Sequence, residues 1–266
     1  MRLKTDNIKF GLLLSTTFLL LGLCKQAIGQ DTLTVDFSDS IQRYDISTIL
    51  TVDSFLAEDN EGSKDKIRRM EPIGFIGDDF QRFYIHFTLV KKQKDNPNKY
   101  VVTGKTKVKS TICDFKGTIT VTNARLYKDG DFPKYKQGLA VCEVILYEDK
   151  KQQSTGFIKG KLKTYFIIDD KQKFRYDALS FVADGFSNNE FECTWTSYKT
   201  NNTKVCNWGD YRIPNSKDLD IGAGEFSVDD KYVKNGWENY KLAWGYDPDK
   251  PETVKAKQIE FEKWWQ

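Results

Sequence analysis

The chain has 266 residues, with 41 lysines and arginines, 38 aspartates and glutamates and a single histidine, for a formal net charge of +3. Lysines interleaved among acids in near-even number exclude a reader of phosphate backbones, which needs a concentrated basic footprint. Aromatic residues make up 14% of the chain, enough bulky core material to exclude a disordered polymer.

The first 29 residues read as an export signal in three segments: basic MRLKTDNIK, apolar FGLLLSTTFLLLGL, and CKQAIGQ with small residues at Ala27 and Gly29. The apolar run is short for a membrane span, and no later segment is apolar enough to be one. Cleavage near Gln30 is expected. A lipoprotein built on Cys24 is the alternative, disfavoured because Leu23 stands where a small residue belongs. Without residues 1–29 the basic and acidic residues number 37 each. The remainder, 30–266, is expected to be one β-rich domain, with 30–70 as an N-terminal strand and loop region. Within it Ala57–Arg69, polar and non-periodic, reads as a surface loop.

Period-two alternation dominates from about residue 80 to 200 and predicts a mainly β fold. In FKGTITV (Phe115–Val121) and IKGKLKT (Ile158–Thr164) alternate positions are apolar, and Lys159, Lys161 and Lys163 share a wet face. Further strands are expected at Phe83–Val90, Leu139–Tyr147, Phe174–Val182 and Phe191–Tyr198, separated by KDNPNK, KDGDFPK and IDDKQK. VTGKTKV (Val102–Val108) echoes the same pattern, and Gly104, Gly117 and Gly160 fall on the apolar face. There a missing side chain lets a sheet bend or leaves room inside. The expectation is a curled antiparallel sheet, barrel-like or a twisted sandwich, either filled by Phe115, Ile119, Leu162 and Phe166 or enclosing a cavity.

Four cysteines follow the signal, Cys113, Cys142, Cys193 and Cys206, an even number that in an oxidising compartment predicts two disulfides. Cys113 with Cys142 and Cys193 with Cys206 are the favoured pairings, on strand parity and on the Asn201-Asn202 turn signal.

His86, in FYIHFTLV, is the one histidine, and its parity opposes Ile85, Phe87 and Leu89, which puts it on a rim or outer face. A histidine-dependent nucleophile would have to use it, and a zinc site would need it together with the cysteines. No G-x-S-x-G, H-E-x-x-H, C-x-x-C or phosphate loop is present, and Gly222-Ala223-Gly224 lacks the third glycine and the βαβ setting of a dinucleotide site.

The region 201–266 reads as a loop-rich, aromatic C-terminal extension carrying all six tryptophans but Trp195, and Pro251–Trp265 predicts a short terminal helix with Val254, Phe261 and Trp265 on one face. VCNWGDYRIPNSKDLDIGAGEF (Val205–Phe226) breaks the periodicity with tryptophan, four carboxylates and three glycines. Trp208, Asp210, Tyr211, Arg212, Asp218, Asp220, Glu225 and Trp237 are its candidate binding residues. Two of the carboxylates Asp210, Asp218, Asp220 and Glu225 could act as acid and base on a glycosidic bond, if one is kept protonated. Asp218-x-Asp220 with Gly222 and Gly224 loosely matches a calcium loop, without its third regular ligand. The plainer reading is a connection tied down by its aromatic residues and by Arg212 or Lys217, of the kind that also displays binding residues.

Across MEPIGFIGDDFQRFYIHF (Met70–Phe87), GKTKVKSTICDFKGTI (Gly104–Ile119) and CNWGDYRIPNSKDLDIGAGEF (Cys206–Phe226) the chain resembles an uncharacterised family of exported β-rich proteins from Bacteroidetes-type bacteria. The resemblance implies a bacterial secretory setting and no activity. The leading functional expectation is a secreted or periplasmic non-enzymatic binding protein for a glycan, a small ligand or a protein. A carboxylate-based glycan hydrolase and an inhibitor or immunity-like protein are the alternatives.

Overall fold

Long alternating strands leave one apolar face per strand to be covered, and this chain covers it by curling the sheet on itself. The computed structural model describes residues 33–58, 64–130, 132–245 and 247–266, so the expected signal at 1–29 lies outside the described residues. Its strands are β1 (Thr34–Asp36), β2 (Ser54–Glu58), β3 (Lys64–Arg68), β4 (Ile73–Ile76), β5 (Gln81–Lys92) and β6 (Lys99–Val108). β7 (Thr111–Tyr127), β8 (Lys136–Glu148), β9 (Gly156–Ile168), β10 (Phe174–Tyr176), β11 (Asn188–Ser197) and β12 (Thr203–Asp210) complete the set. The fold is mainly β, and no helix among the described residues is long and apolar enough to cross a membrane.

Ten strands form one antiparallel, ring-like sheet. The pairing runs β4 to β5, β6, β7, β8 and β9, then β11 and β12, and β12 returns to β4. A ring of about eight strands has an interior just wide enough for side chains to fill. The inward residues do fill it: Phe115, Ile119, Leu162 and Phe166 are buried among Tyr100, Val144, Phe191 and Trp208. Phe191 and Trp208, opposite one another on β11 and β12, stack with ring centroids 4.4 Å apart.

Side chains occupy the space beside two of the inward glycines. A Cβ on Gly104 would meet the Phe115 ring at 2.5 Å, and one on Gly160 would meet Cys193 Sγ at 2.6 Å.

All four cysteines are free thiols, contrary to the expected disulfides. Cys142 stands opposite Val121, eight residues along β7 from Cys113. At ~3.3 Å per residue that is some 26 Å of strand, well beyond bridging reach. Cys193 and Cys206 are register partners, yet the Cys193 sulfur leans away over Gly160. Burial raises the pKa of Cys113 to about 11 and of Cys142 to about 12, and pushes Cys193 and Cys206 up as well, so these are inert core thiols.

One end of the ring is closed by the N-terminal segment, whose Ile41, Ile46, Ile49 and Leu50 join the main core. Its anchor is a buried ion pair. Asp210, at the end of β12, accepts from Arg69 Nη2 at 2.8 Å and Nε at 3.0 Å, from the Tyr176 hydroxyl at 3.1 Å and from Asn189 Nδ2 at 2.7 Å. Arg69 also donates to the Leu50 carbonyl at 2.9 Å. Burial opposes the arginine's charge, but the Asp210 carboxylate outweighs it and raises the Arg69 pKa. The other end holds Glu148, which accepts from the Thr106 hydroxyl, the Gly156 N–H and the Trp195 Nε1–H at 2.6, 2.8 and 2.9 Å.

Three expectations change. Ala57–Arg69 is not a plain loop: β2 and β3 pair as a hairpin, with Phe55 opposite Ile67. The Phe174–Val182 strand stops at Tyr176 and turns. The terminal helix spans Pro251–Glu260, following a first helix at Glu238–Trp244, but it buries Thr253 and Ala256 and leaves Val254 exposed. Alternative apolar faces on so short a helix are decided by Arg82 beneath it. That buried guanidinium lies 4.8, 4.2 and 5.1 Å from the ring centroids of Tyr84, Trp237 and Tyr240 and pairs with Glu260 at 3.2 Å.

Truncating Arg69 to alanine leaves the buried Asp210 without its cation, so denaturant titration should show a loss of about 3–5 kcal/mol, recovered in large part by the double variant with Asp210→Leu. Burial raises the Asp177 carboxyl above its ordinary 3.8, against hydrogen bonds from Gln137 and the Leu179 N–H. Its contribution is therefore fully present below that value and is lost as pH rises through the raised one. Asp177→Asn keeps the acceptor for the Leu179 N–H and, with the Gln137 amide turned over, donates to its oxygen; it should raise the melting temperature at neutral pH and flatten its fall from mildly acidic pH upward.

Candidate functional site

The stretch Val205–Phe226 divides between core and surface. Trp208 is fully buried inside the ring, and Asp210 is consumed by the ion pair with Arg69. Tyr211, at a left-handed φ of 65°, packs edge-on against Phe55, Phe181 and Phe186. Trp237 is fully buried in a satellite core outside the ring, with Phe75, Phe80, Leu219 and Phe226, and donates its Nε1–H to the Phe80 carbonyl at 2.8 Å. None of these four faces solvent as a stacking platform. Tryptophans that looked available by spacing are the anchors of the loop.

Arg212 and Asp220 form a clamp. Arg212 Nη1 donates to Asp220 at 2.7 Å, and Nη2 donates to the carbonyls of Gly222, Ala223 and Gly224 at 3.1, 3.0 and 2.8 Å. The other Asp220 oxygen accepts from the backbone of Gly222 and Ser227 at 2.9 and 3.0 Å. Asp218 turns the opposite way, to Lys231 at 2.6 Å and to the Tyr232 hydroxyl at 3.0 Å, contacts that lower its pKa. Glu225 is exposed. The calcium-loop expectation therefore does not fit: its two aspartates diverge, each already holds a cation, and no group of three metal-binding side chains occurs among the described residues. The paired-carboxylate expectation meets the same obstacle, since Asp210 and Asp220 are each already engaged by a guanidinium, at 2.8 and 2.7 Å.

The clamp holds one wall of a cleft of about 800 Å³ on the outer face of the ring. Its floor follows from register. Lys159, Thr194 and Val205 lie side by side across β9, β11 and β12, and one row along lie Lys161, Glu192 and Asn207, with Phe75 of β4 beyond. The walls are the 77–80 turn, with Asp78 and Phe80, and the segment bearing Asn215, Lys217 and Asp218. Asn207 fastens wall to floor: it accepts from the Cys193 N–H at 3.0 Å and donates to the Pro214 carbonyl at 3.1 Å. Asn215 and Lys217 have φ of 54° and 50°. Left-handed backbone at a lysine costs energy and persists only where its surroundings impose it, as at ligand clamps.

Lys161, Lys217 and Glu192 are exposed and make no salt bridge among the described residues. Sequence reasoning treated the lysines of β9 as a merely solvated face; the signal it missed was their register with Glu192 and Thr194, which pairing alone reveals. The lone histidine, on the outer face of β5, is occupied elsewhere, its ring stacked on Trp265 at 3.7 Å and its Nδ1 2.9 Å from Glu71. Comparison with protein-family models, with curated proteins and with solved structures gives no match for this chain.

Arg212→Ala should free residues 220–227 while the ring persists. Hydrogen exchange is the readout: amides of Gly222 and Ser227 should exchange much faster than in the parent, with those of β9 and β11 unchanged.

Proposed function

We propose that the chain is an exported, non-enzymatic binding protein and that a glycan occupies the outer cleft beside the Val205–Phe226 stretch. The observation that carries the reading is the pre-formed concavity: a clamped wall over a floor that presents the unpaired Lys161 ammonium and Glu192 carboxylate beside the Thr194 hydroxyl and the Asn207 amide. Such a lining matches the hydroxyl, carboxylate and acetamido groups of sugars, and walls fixed beforehand reduce the ordering cost of binding. The export-like segment at 1–29 and the resemblance to exported bacterial β-rich proteins support placing it in the periplasm or outside the cell.

Calorimetric titration with oligosaccharides of N-acetylglucosamine, galacturonate and mannose tests the reading. Saturable binding to at least one is expected, weakened about tenfold, or ~1.4 kcal/mol, by Lys161→Ala or Glu192→Gln. Heat of binding unaffected by either substitution would move the ligand elsewhere. No binding to any of the three, with a stoichiometric envelope protein co-purifying instead, would replace the glycan by a protein partner.

A further inference from the structure

The outer face continues past the cleft in a way the loop residues do not suggest. One row beyond Lys159 and Thr194 stand Tyr147, Phe157, Thr196 and Thr203, opposite one another across β8, β9, β11 and β12. Tyr147 is 50% exposed, and Phe157 lies with its ring centroid 6.3 Å from that of Tyr147 and 6.0 Å from that of Tyr198. The three rings thus form a row beside a separate recess of about 510 Å³, whose lining includes Tyr147, Tyr198 and Lys150.

Two of these rings already carry cations. Lys150 Nζ lies 4.9 Å from the Tyr198 centroid and Lys159 Nζ 5.3 Å from that of Phe157. An ammonium reaching a ring from an exposed side chain marks that ring's face as turned to the surface, where a sugar ring can stack. Hydroxyls border the line: Thr196 and Thr203 hydrogen-bond to each other at 2.9 Å on the same outer face.

We propose that the ligand is a polysaccharide chain held at two subsites, the cleft at Lys161 and Glu192 and an aromatic subsite at Tyr147, Phe157 and Tyr198. This rests on the glycan reading of the cleft. From the Asn207 row to the Tyr147 row is four strand residues, ~13 Å, more than one sugar ring spans. An extended peptide fits the face less well. Apart from the two residues Thr203 and Lys204, where β12 runs past its β4 partner, the strands beneath it are paired on both sides, so a peptide finds too little open edge to extend, whereas a sugar chain needs only ring faces and hydrogen-bonding side chains.

The test compares the disaccharide with the octasaccharide of whichever of the three probes binds, in the parent, in Tyr147→Ala and in Tyr147→Phe. The parent should bind the octasaccharide about tenfold or more tightly than the disaccharide, because the second subsite acts at high effective concentration once the first is filled. Tyr147→Ala should bring the octasaccharide down to the disaccharide's affinity, and Tyr147→Phe, which keeps the ring, should retain the gain. Equal affinities in the parent, or a length gain that survives Tyr147→Ala, would overturn the second subsite while leaving the cleft reading intact. No binding at any length would remove both.

Discussion

Closure of the sheet by β12 against β4 is the constraint from which the other placements follow. A closed ring has one inside, and with about eight strands that inside has room for side chains and for little else. Trp208, Phe191, Phe115 and Phe166 occupy it, and Phe115 and Cys193 take up the space beside Gly104 and Gly160. With the interior filled, the outer face is where β9, β11 and β12 present alternate residues in fixed rows, and it is there that the proposed binding is placed. The same closure denies the main sheet a free edge there, which makes the exposed rows safe from strand addition.

The ends and the outside are then held by different physics. At one end a buried carboxylate and guanidinium draw five segments together, those of Leu50, Arg69, Tyr176, Asn189 and Asp210, because neither charge can be left without the other in a desolvated site. On the outside, Arg82 is satisfied chiefly by aromatic faces, which fixes the C-terminal helices over β4 and β5. Between these the Arg212–Asp220 clamp shapes the cleft wall without contributing to the ring. This separation lets the wall be strained at Asn215 and Lys217 while the scaffold stays intact.

Much of this architecture was legible in the sequence because a half-buried strand writes its faces into alternate residues. Phe115–Val121 and Ile158–Thr164 show the alternation plainly, and their strands extend on both sides of those windows. The β2–β3 hairpin was not legible, since a two-stranded outlying sheet buries little and Lys64, Asp65 and Lys66 are all exposed. Cysteine parity placed Cys113 and Cys142 on the same inner side but carried no information about distance along β7. For the site, the stretch Val205–Phe226 announced itself by composition, yet its most conspicuous residues, Trp208, Asp210 and Asp220, are internal fastenings. The groups left free, Lys161, Glu192 and Lys217, are ordinary in sequence and become a candidate site only through pairing.

Binding on the outer face over a filled ring, as proposed, has one direct test. Methyl-resolved NMR, recorded while a glycan hydrolysate is added, reads both surfaces at once. The methyls of Thr194 and Val205 should shift progressively and saturate, while those of Leu162 and Val144 inside the ring stay in place. Shifts centred on Leu162 and Val144, with Thr194 and Val205 unmoved, would contradict it by showing a ligand inside the ring.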